Sequence, residues 1–380
     1  MNFDGSFGFK FNRYAIYPIS IGLLQFLGYN SISLFLVFGG ILLSITSVYR
    51  SFIKSNFSFF LFLICSFIIG SIFCINNFPS ERSLSVWGQF YLISFSLLFV
   101  EKKELLIDYF KKVIILIFIL DILTNILLLS GFNLPWVELA EVRPGELLSR
   151  YPGIKNSALF SGTISFFALS FILEYKKGKK TKASMLILVL FNMILAGNYR
   201  FLVIATVIIL LSLNVIRRKK IIIFSLFLFC VFVVIIATFY TMEQSGSNLL
   251  RFQLWQEAFK KLISNPMFGS GFFSPDIKNL TEANIDSLLS SGVTESTVLL
   301  IGINFGFPLM ILFIFCILKT ISRMNLYKEY SSELGIFFGL ALDSFWAGSF
   351  ENAISLSVFI LSMYLINNKK SIYKNNVIVY

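Results

Sequence analysis

The chain has 380 residues, of which 57% are hydrophobic, 17% aromatic and only 14% charged. Soluble domains carry about 25% charged residues, so this composition excludes a water-soluble globular protein. The net charge of +12 is compatible with nucleic acid or with anionic lipid as a partner. Histidine is absent, which removes histidine bases, histidine metal ligands and serine–histidine triads. Any general base must therefore be a carboxylate.

Apolar segments long enough to cross a bilayer recur from one end of the chain to the other. A transmembrane helix needs about 20 predominantly apolar residues, and the hydropathy pattern predicts about twelve such spans. The expected fold class is therefore an all-α polytopic membrane protein. The predicted spans are 14–29, 31–49, 57–76, 84–100, 112–131, 157–175, 183–198, 201–216, 221–240, 294–318, 333–349 and 352–367.

The cysteines give no sign of a metal or redox site. All four fall inside predicted spans, and none belongs to a Cys-x-x-Cys pair. We therefore expect neither a zinc site nor a disulfide in an exposed loop. The four are Cys65, Cys74, Cys230 and Cys316.

The distribution of lysine and arginine predicts the orientation in the membrane. With the N-terminus placed in the cytoplasm, the inward loops hold 23 of the 32 basic residues. Because short cytoplasmic loops of membrane proteins are enriched in lysine and arginine, we predict that both termini are cytoplasmic. These loops then face anionic lipid headgroups, which accounts for the net charge without nucleic acid as a partner.

Two outward segments are too long to be turns, residues 132–156 and residues 241–293. The second contains a predicted helix that ends before Pro266, because proline cannot continue a helix. Its apolar residues recur every four positions, which predicts a helix that lies along the membrane surface. We therefore expect a single membrane domain over residues 1–380 with two elaborated outer loops. The apolar stripe consists of Leu250, Leu254, Ala258 and Leu262, flanked by Trp255 and Phe259.

Three segments carry a resemblance to a known family. They are RYPGIKNSALFSG at 150–162, the stretch from Arg251 to Gly271, and the stretch from Glu295 to Gly306. In this order, each at a predicted membrane edge, they resemble the O-antigen polymerase and O-antigen ligase superfamily of membrane glycosyltransferases. One position departs from the ligase pattern, since Glu295 stands where family ligases often have a histidine.

The resemblance implies a GT-C-like membrane enzyme. Such an enzyme moves a glycan from undecaprenyl diphosphate onto the sugar of another lipid-linked unit, without a nucleotide sugar, metal or cofactor. It further implies the bacterial inner membrane as location, with residues 132–156 and 241–293 as periplasmic loops. A chain-length regulator protein is the partner that the resemblance suggests, beside membrane lipid and the lipid-linked oligosaccharide.

Candidate site residues follow from the chemistry of this transfer. A diphosphate leaving group needs cationic hydrogen-bond donors, and Arg150 and Arg251 are the candidates. An acceptor hydroxyl needs a base, for which Glu295 at the mouth of a span is the candidate. The residues expected to bind substrate are Arg200, Arg143, Asn156, Trp255 and Asp286.

Each assignment has an alternative. An arginine at a span end can anchor to ordinary lipid headgroups, and Glu295 can simply cap its helix. Asp286 and Glu282 compete with Glu295 for the role of base. Two further carboxylates, Asp121 and Asp343, fall within predicted spans, where buried charge is costly and commonly functional. They would be a proton relay in a transporter, and a structural role is the interpretation we favour.

Several functions therefore compete. A polymerase of oligosaccharide repeat units is the leading hypothesis, because the ligase histidine is missing. An O-antigen ligase that transfers glycan to the lipid A core is the first alternative. A polysaccharide flippase or other transporter is the second, although such proteins commonly contain internal repeats and none is evident here. A scaffolding membrane protein would leave the ordered motifs unexplained.

Overall fold

The structure is a computed structural model that describes residues 13–27, 56–76, 81–100, 102–137, 151–155, 157–175, 178–197, 199–213, 219–240, 246–272, 296–327, 329–346 and 352–375. These residues form helices and turns and contain no β-strand, as the all-α prediction expects. The helices are α1 (Arg13–Leu27), α2 (Phe57–Asn76), α3 (Glu81–Phe99), α4 (Lys103–Leu129), α5 (Ala158–Glu174), α6 (Lys179–Leu195), α7 (Tyr199–Ser212), α8 (Lys220–Tyr240), α9 (Gly246–Ser264), α10 (Thr297–Phe305), α11 (Phe307–Ile321), α12 (Ser332–Asp343) and α13 (Ala353–Asn375).

Among the described residues, three helical segments are long and apolar enough to cross a membrane, namely Phe57–Cys74, Lys103–Leu129 and Phe307–Leu326. Their length and composition identify a membrane protein. The predicted span at 31–49 lies outside the described residues, and the predicted count of twelve is not confirmed. Shorter apolar helices cover Val86–Phe99, Leu159–Glu174, Arg200–Ser212, Lys220–Val233 and Ala353–Asn368.

The chain divides into two compact units, each built from several separate segments. The first unit comprises Met1–Val48, Phe99–Lys219 and Leu326–Gly339, and the second comprises Tyr49–Leu98, Lys220–Asn325 and Leu340–Tyr380. In the first unit α4 is the central helix and packs against α1, α5 and α6. In the second unit α11 packs against α2, α8, α10 and α13.

A buried ion cluster joins α4, α5 and the start of α12 in the first unit. Lys111 Nζ lies 2.9 Å from Glu174 Oε2 and 3.4 Å from Glu333 Oε1, and Ser332 Oγ donates to Glu174 at 2.7 Å. The sequence predicts that the span corresponding to α4 begins at residue 112, and this boundary is wrong because α4 begins at Lys103. The charge of the lysines in this stretch is what suggested a loop. In the structure, however, the carboxylates of Glu174 and Glu333 on other helices neutralise the charge of Lys111.

A buried asparagine network ties together three helices at one end of the second unit. Asn367 Nδ2 donates to Asn56 Oδ1 and to Thr320 Oγ1, at 3.0 Å in each case. Arg323 donates in turn to the backbone carbonyl of Asn367 at 3.0 Å. These bonds fix α2, α11 and α13 to one another, and α13 continues beyond its predicted end at 367 to Asn375.

The predicted span 294–318 is broken in the structure. Gly306 separates α10 from α11 with φ +86° and ψ 171°, a conformation that favours glycine. Pro308 follows in the first turn of α11, where its missing N–H costs nothing. One continuous span was therefore the wrong prediction, because hydropathy alone does not register the Gly-Phe-Pro interruption.

Candidate functional site

Helix α9 presents the predicted apolar stripe to the rest of the second unit. Leu254, Ala258 and Leu262 are buried, whereas Phe259 on the flank is exposed. Leu262 reaches α10, where a Cβ placed on Gly302 would lie 3.4 Å from its Cδ2 atom. The helix predicted within residues 241–293 is therefore confirmed, and its buried residues pack on protein, whereas its position along the membrane surface stays a prediction.

Residues 266–272, which are separated from the end of α9 by Asn265, form a turn that we call the glycine turn. Three backbone hydrogen bonds attach it to the break between α10 and α11. Ser270 N donates to Ile303 O at 2.8 Å, Gly271 N donates to Asn304 O at 2.8 Å, and Phe307 N donates to Pro266 O at 2.7 Å. The second and third segments of the family resemblance thus form one local structure.

Two glycines make this attachment possible. Gly269 has φ +65°, and a Cβ there would lie 2.5 Å from the backbone carbonyl carbon of Asn304. Gly306 has φ +86°, and a Cβ there would lie 2.3 Å from Met267 O. Both the backbone conformation and the close approach therefore require glycine. This is the physical reason for the spacing of glycines in the two segments.

The glycine turn differs from a phosphate-binding nest. The backbone N–H of Gly269 donates to Asn265 O at 3.0 Å, and those of Ser270 and Gly271 donate to α10. A nest needs successive N–H groups that are free to meet an anion. The role of this Gly-x-Gly sequence is therefore to join two helices, and an anionic group must be met by side chains.

Trp255 lies in α9 one helical turn after Arg251, so the two residues share a helix face. Its indole ring is half-buried, and its Nε1 atom is buried with no hydrogen-bond acceptor among the described residues. A buried N–H without an acceptor is energetically costly. A substrate oxygen at this point would supply the acceptor. The Arg251 side chain lies outside the described residues.

Asn304 is a polar residue at the helix break that is not among the candidate site residues predicted from the sequence. Its side chain is fully buried, and Nδ2 donates to Leu300 O at 2.9 Å. No donor among the described residues reaches its Oδ1 atom. The only signal in the sequence is that Asn304 stands two residues before Gly306.

Ser296 fixes the start of α10. It is the N-cap residue, and its Oγ accepts the N–H of Leu299 at 3.3 Å. Val298 N donates to Ser344 O at 3.1 Å, which connects this helix start to the end of α12. The N-cap position of α10 therefore belongs to Ser296, and Glu295 lies outside the described residues.

The first segment of the resemblance rests on a polar platform in the first unit, formed by Asp121, Asn125, Ser161 and Asn192. Gly153 N donates to Asn125 Oδ1 at 2.9 Å, and Ile154 N donates to Asp121 Oδ1 at 3.1 Å. The other carboxylate oxygen of Asp121 accepts from Ser161 Oγ at 2.5 Å and from Asn192 Nδ2 at 3.0 Å.

This geometry gives Asp121 a structural role. Both of its carboxylate oxygens accept hydrogen bonds from the protein, so the buried group is satisfied. Asp343, the other carboxylate of the predicted spans, is the last residue of α12. It therefore lies at a helix end rather than in the middle of a helix.

Two basic residues of the first unit, Arg200 and Lys155, stack on aromatic rings. The Arg200 guanidinium carbon lies 5.0 Å from the centroid of the Phe201 ring. Lys155 Nζ lies 5.0 Å from the centroid of the Phe160 ring, and burial lowers the pKa of Lys155. Both arrangements are within the range of cation–π attraction.

Five of the sequence-predicted site residues lie outside the described residues, so the structure gives no position for them. They are Arg143, Arg150, Asn156, Asp286 and Glu295. Within the described ranges, no group of three or more aspartate, glutamate or cysteine residues has an arrangement that could hold a metal ion.

Comparison with known proteins gives a match to a family model over part of the chain. Residues 183–314 match the family model described as O-antigen ligase. This match supports the O-antigen polymerase and ligase superfamily of membrane glycosyltransferase-like enzymes, which act in O-antigen and lipopolysaccharide biosynthesis. The matched range runs from α6 into α11 and includes the glycine turn and the helix break. No curated protein matches the chain.

Proposed function

We propose that the protein polymerises undecaprenyl-diphosphate-linked oligosaccharide repeat units into O-antigen or capsular polysaccharide. The reaction takes place on the periplasmic face of the bacterial inner membrane. In this proposal the chain forms one membrane domain with about twelve spans and two cytoplasmic termini. Residues 132–156 and 241–293 are its periplasmic loops.

The observation that carries the proposal is the attachment of the glycine turn to the break between α10 and α11. It unites two segments that resemble a glycosyltransferase family and lie within the matched range of that family's model. It also fixes α9, the helix that carries Arg251 and Trp255, relative to α10, whose first residue stands two positions after Glu295 in the sequence.

The proposed chemistry is a displacement at the anomeric carbon of the donor glycan. The acceptor hydroxyl forms the new glycosidic bond while the bond from the anomeric carbon to the diphosphate oxygen breaks. Glu295 takes the proton of the hydroxyl as general base. Arg150 and Arg251 stabilise the charge that develops on the departing diphosphate.

The remaining candidates bind substrate. Arg143 and Arg200 would meet anionic groups of the lipid-linked sugars, and Asn156 and Asp286 would meet hydroxyl groups. Trp255 is supported by its buried indole N–H, for which the described residues offer no acceptor. A chain-length regulator protein is the proposed partner, and no cofactor takes part.

One specific observation favours a second candidate, since the family model that matches carries the description O-antigen ligase. A ligase would transfer the finished glycan to the lipid A core. Glu295 stands where the family ligases often have histidine, and for this reason we rank the polymerase first. The polar platform weighs against a transporter, because Asp121 is occupied by hydrogen bonds within the protein.

Deletion of the gene, followed by electrophoresis of the lipopolysaccharide, tests the proposal. Loss of a polymerase leaves a single repeat unit on the core. Loss of a ligase leaves polymer on the carrier lipid and none on the core, and loss of a flippase leaves repeat units in the cytoplasmic leaflet. Either of the last two patterns would overturn the proposal.

Complementation of the deletion strain tests the proposed base. We expect Glu295→Gln to restore only single repeat units while the protein reaches the membrane in normal amount, since the amide cannot accept the proton. Normal chain lengths with Glu295→Gln would show that another group is the base. Asp286→Asn and Glu282→Gln, made in parallel, then identify which one.

A further inference from the structure

Two cationic side chains of the second unit lie side by side where α11 ends next to the start of α2. Lys319 is in the last turn of α11, and Arg323 follows two residues after the helix ends. Lys319 Nζ donates to Ser58 Oγ on α2 at 2.9 Å. Arg323 Nη1 donates to both the backbone oxygen and Oδ1 of Asn367, at 3.0 Å in each case. The protein therefore holds both cations in place.

The charge of Lys319 has no carboxylate partner among the described residues, since none of their ion pairs includes it. Its ammonium lies 6.0 Å from the centroid of the Phe315 ring, and the positive charge of Arg323 acts on it as well. Like charges one helical turn apart repel each other. An anion that meets both cations would relieve this repulsion.

The surface that runs from this cation pair along the two helices is apolar. On α11 the side chains of Phe307, Ile311 and Phe315 recur every four residues and are exposed. On α2 the side chains of Phe57 and Leu61 are exposed in the same way. Both helices belong to segments that are long and apolar enough to cross a membrane, so these side chains face lipid.

The antiparallel packing of α2 and α11 brings the cations and the apolar surface together. Phe62 on α2 packs against Phe313 on α11, with 5.3 Å between the ring centroids, and Lys319 bonds to α2 closer to the helix ends. One turn from this hydrogen bond stand Leu61 on α2 and Phe315 on α11, both exposed. An amphiphile with a phosphate at the cations would therefore lay its apolar chain over these two side chains.

This place is separate from the candidate site. The glycine turn is attached to the other end of α11, at Phe307, and a helix that runs from there to Lys319 covers about 18 Å. The sequence predicts that the end of α11 faces the cytoplasm, where the membrane leaflet carries anionic lipid headgroups. The ligand expected here is thus a component of the membrane itself.

We propose that the two cations bind the phosphate of an anionic phospholipid whose acyl chain lies over Leu61 and Phe315. Ammonium and guanidinium groups form charge-assisted hydrogen bonds with phosphate, and basic pockets between transmembrane helices bind anionic headgroups. A lysine that only anchors a helix extends toward water, whereas Lys319 is bound back to Ser58. The lipid stabilises the second unit by linking α2 to α11. The inference does not depend on the proposed glycosyl transfer.

Photolabelling of the full-length wild-type protein tests the proposal. The protein is reconstituted in nanodiscs of phosphatidylcholine with a trace of phosphatidylglycerol that carries a diazirine in its acyl chain, and labelled peptides are mapped by mass spectrometry. We expect the labels to concentrate around Leu61 and Phe315. Phe229 and Phe232 on α8 are also exposed and report the background from bulk lipid. Unlabelled phosphatidylglycerol should compete, whereas inorganic phosphate should not.

Substitutions at one position test the role of the charge. We expect Lys319→Gln to lower the labelling about tenfold, the change produced by loss of one hydrogen bond to a charged group, and Lys319→Arg to retain it. The matched control is Lys220→Gln, because Lys220 is an exposed lysine at the start of α8. This control should leave the labelling unchanged. If Lys319→Gln does not fold, Arg323→Gln replaces it with the same expectation.

Four results would overturn the proposal. Equal labelling of α8 and of the region around Leu61 and Phe315 would show bulk lipid only. Equal labelling by a phosphatidylcholine probe with the same diazirine would show that the headgroup charge is irrelevant. Competition by inorganic phosphate would identify a site for free anions, and full labelling of Lys319→Gln would exclude the lysine. None of these results bears on the proposed polymerase, which the lipopolysaccharide of the deletion strain tests separately.

Discussion

The polar platform of the first unit and the glycine turn of the second hold segments of the family resemblance by opposite means. The platform uses side chains, since Asp121 and Asn125 accept the backbone N–H groups of Ile154 and Gly153. The glycine turn uses backbone alone, with three N–H groups bonded to carbonyls across a gap that admits no Cβ. A side-chain network can lose one bond and keep the others. Two backbones in direct contact cannot accommodate an added side chain in this way.

The largest effect is therefore expected from Gly269→Ala. The methyl group requires a strained φ and would lie 2.5 Å from the Asn304 backbone, so we expect a loss of about 3 kcal/mol in the free energy of unfolding. Long glycan chains should disappear with it. Thermal unfolding in detergent and the lipopolysaccharide ladder measure the two effects.

Gly131→Ala is the matched control for this substitution. Gly131 also has positive φ, at +85°, but a Cβ there would meet no atom within 4 Å. Gly131→Ala should therefore lower the free energy of unfolding only by the backbone strain, about 1 kcal/mol, and leave the glycan chain length normal. Equal effects of the two substitutions would show that the close approach at Gly269 contributes nothing.

A smaller effect is expected from Asn192→Ala in the polar platform. Its amide donates to Asp121 and to Ser165, at 3.0 and 2.9 Å, and its oxygen accepts from Asn125 at 2.8 Å. Loss of these bonds in a buried site should cost about 2 kcal/mol, because the remaining donors still hold the carboxylate. Thermal unfolding measures the shift.

Ser184→Ala on the same helix is the control for the platform. Ser184 is exposed, and its hydroxyl donates only to Lys180 O within the helix. Its removal should change the free energy of unfolding by less than about 0.5 kcal/mol. If Asn192→Ala is as mild as this control, the platform does not stabilise the first unit.

The smallest effect on stability, with a large effect on function, is expected from Trp255→Phe. The substitution keeps an aromatic ring and removes a buried donor that has no acceptor among the described residues, so the free energy of unfolding should be unchanged or slightly higher. Glycan chains should shorten, because the proposed substrate contact is lost. The exposed Trp136→Phe should alter neither. Normal chains with Trp255→Phe would exclude the indole N–H from substrate binding.

Local patterns in the sequence predicted much of this fold. Residues 57–76 are a helix at the predicted bounds, and α9 has its predicted stripe and its end before Pro266. Hydropathy and helical periodicity are properties of neighbouring residues, so they suffice for such elements. The two segments that meet at the glycine turn were identified by the family resemblance rather than by these patterns.

The remaining features depend on partners distant in the sequence. Lys111 is buried because Glu174 and Glu333 meet it, and no local window contains all three residues. The break at Gly306 is held by backbone hydrogen bonds to residues 266–271, which lie far outside any local window of sequence around Gly306. The sequence pattern likewise does not reveal that Trp255 Nε1 and Asn304 Oδ1 are buried with no partner among the described residues, because this depends on the folded structure.

Reconstitution tests the central claim most directly. Purified protein in liposomes is given undecaprenyl-diphosphate-linked repeat units from its host, with a chelator present and no nucleotide sugar, and the carrier-linked products are separated by electrophoresis. We predict a ladder of lengthened glycans that wild-type protein and Gly131→Ala form and that Gly269→Ala and Glu295→Gln do not. Repeat units that remain single with folded wild-type protein would contradict the proposed polymerase.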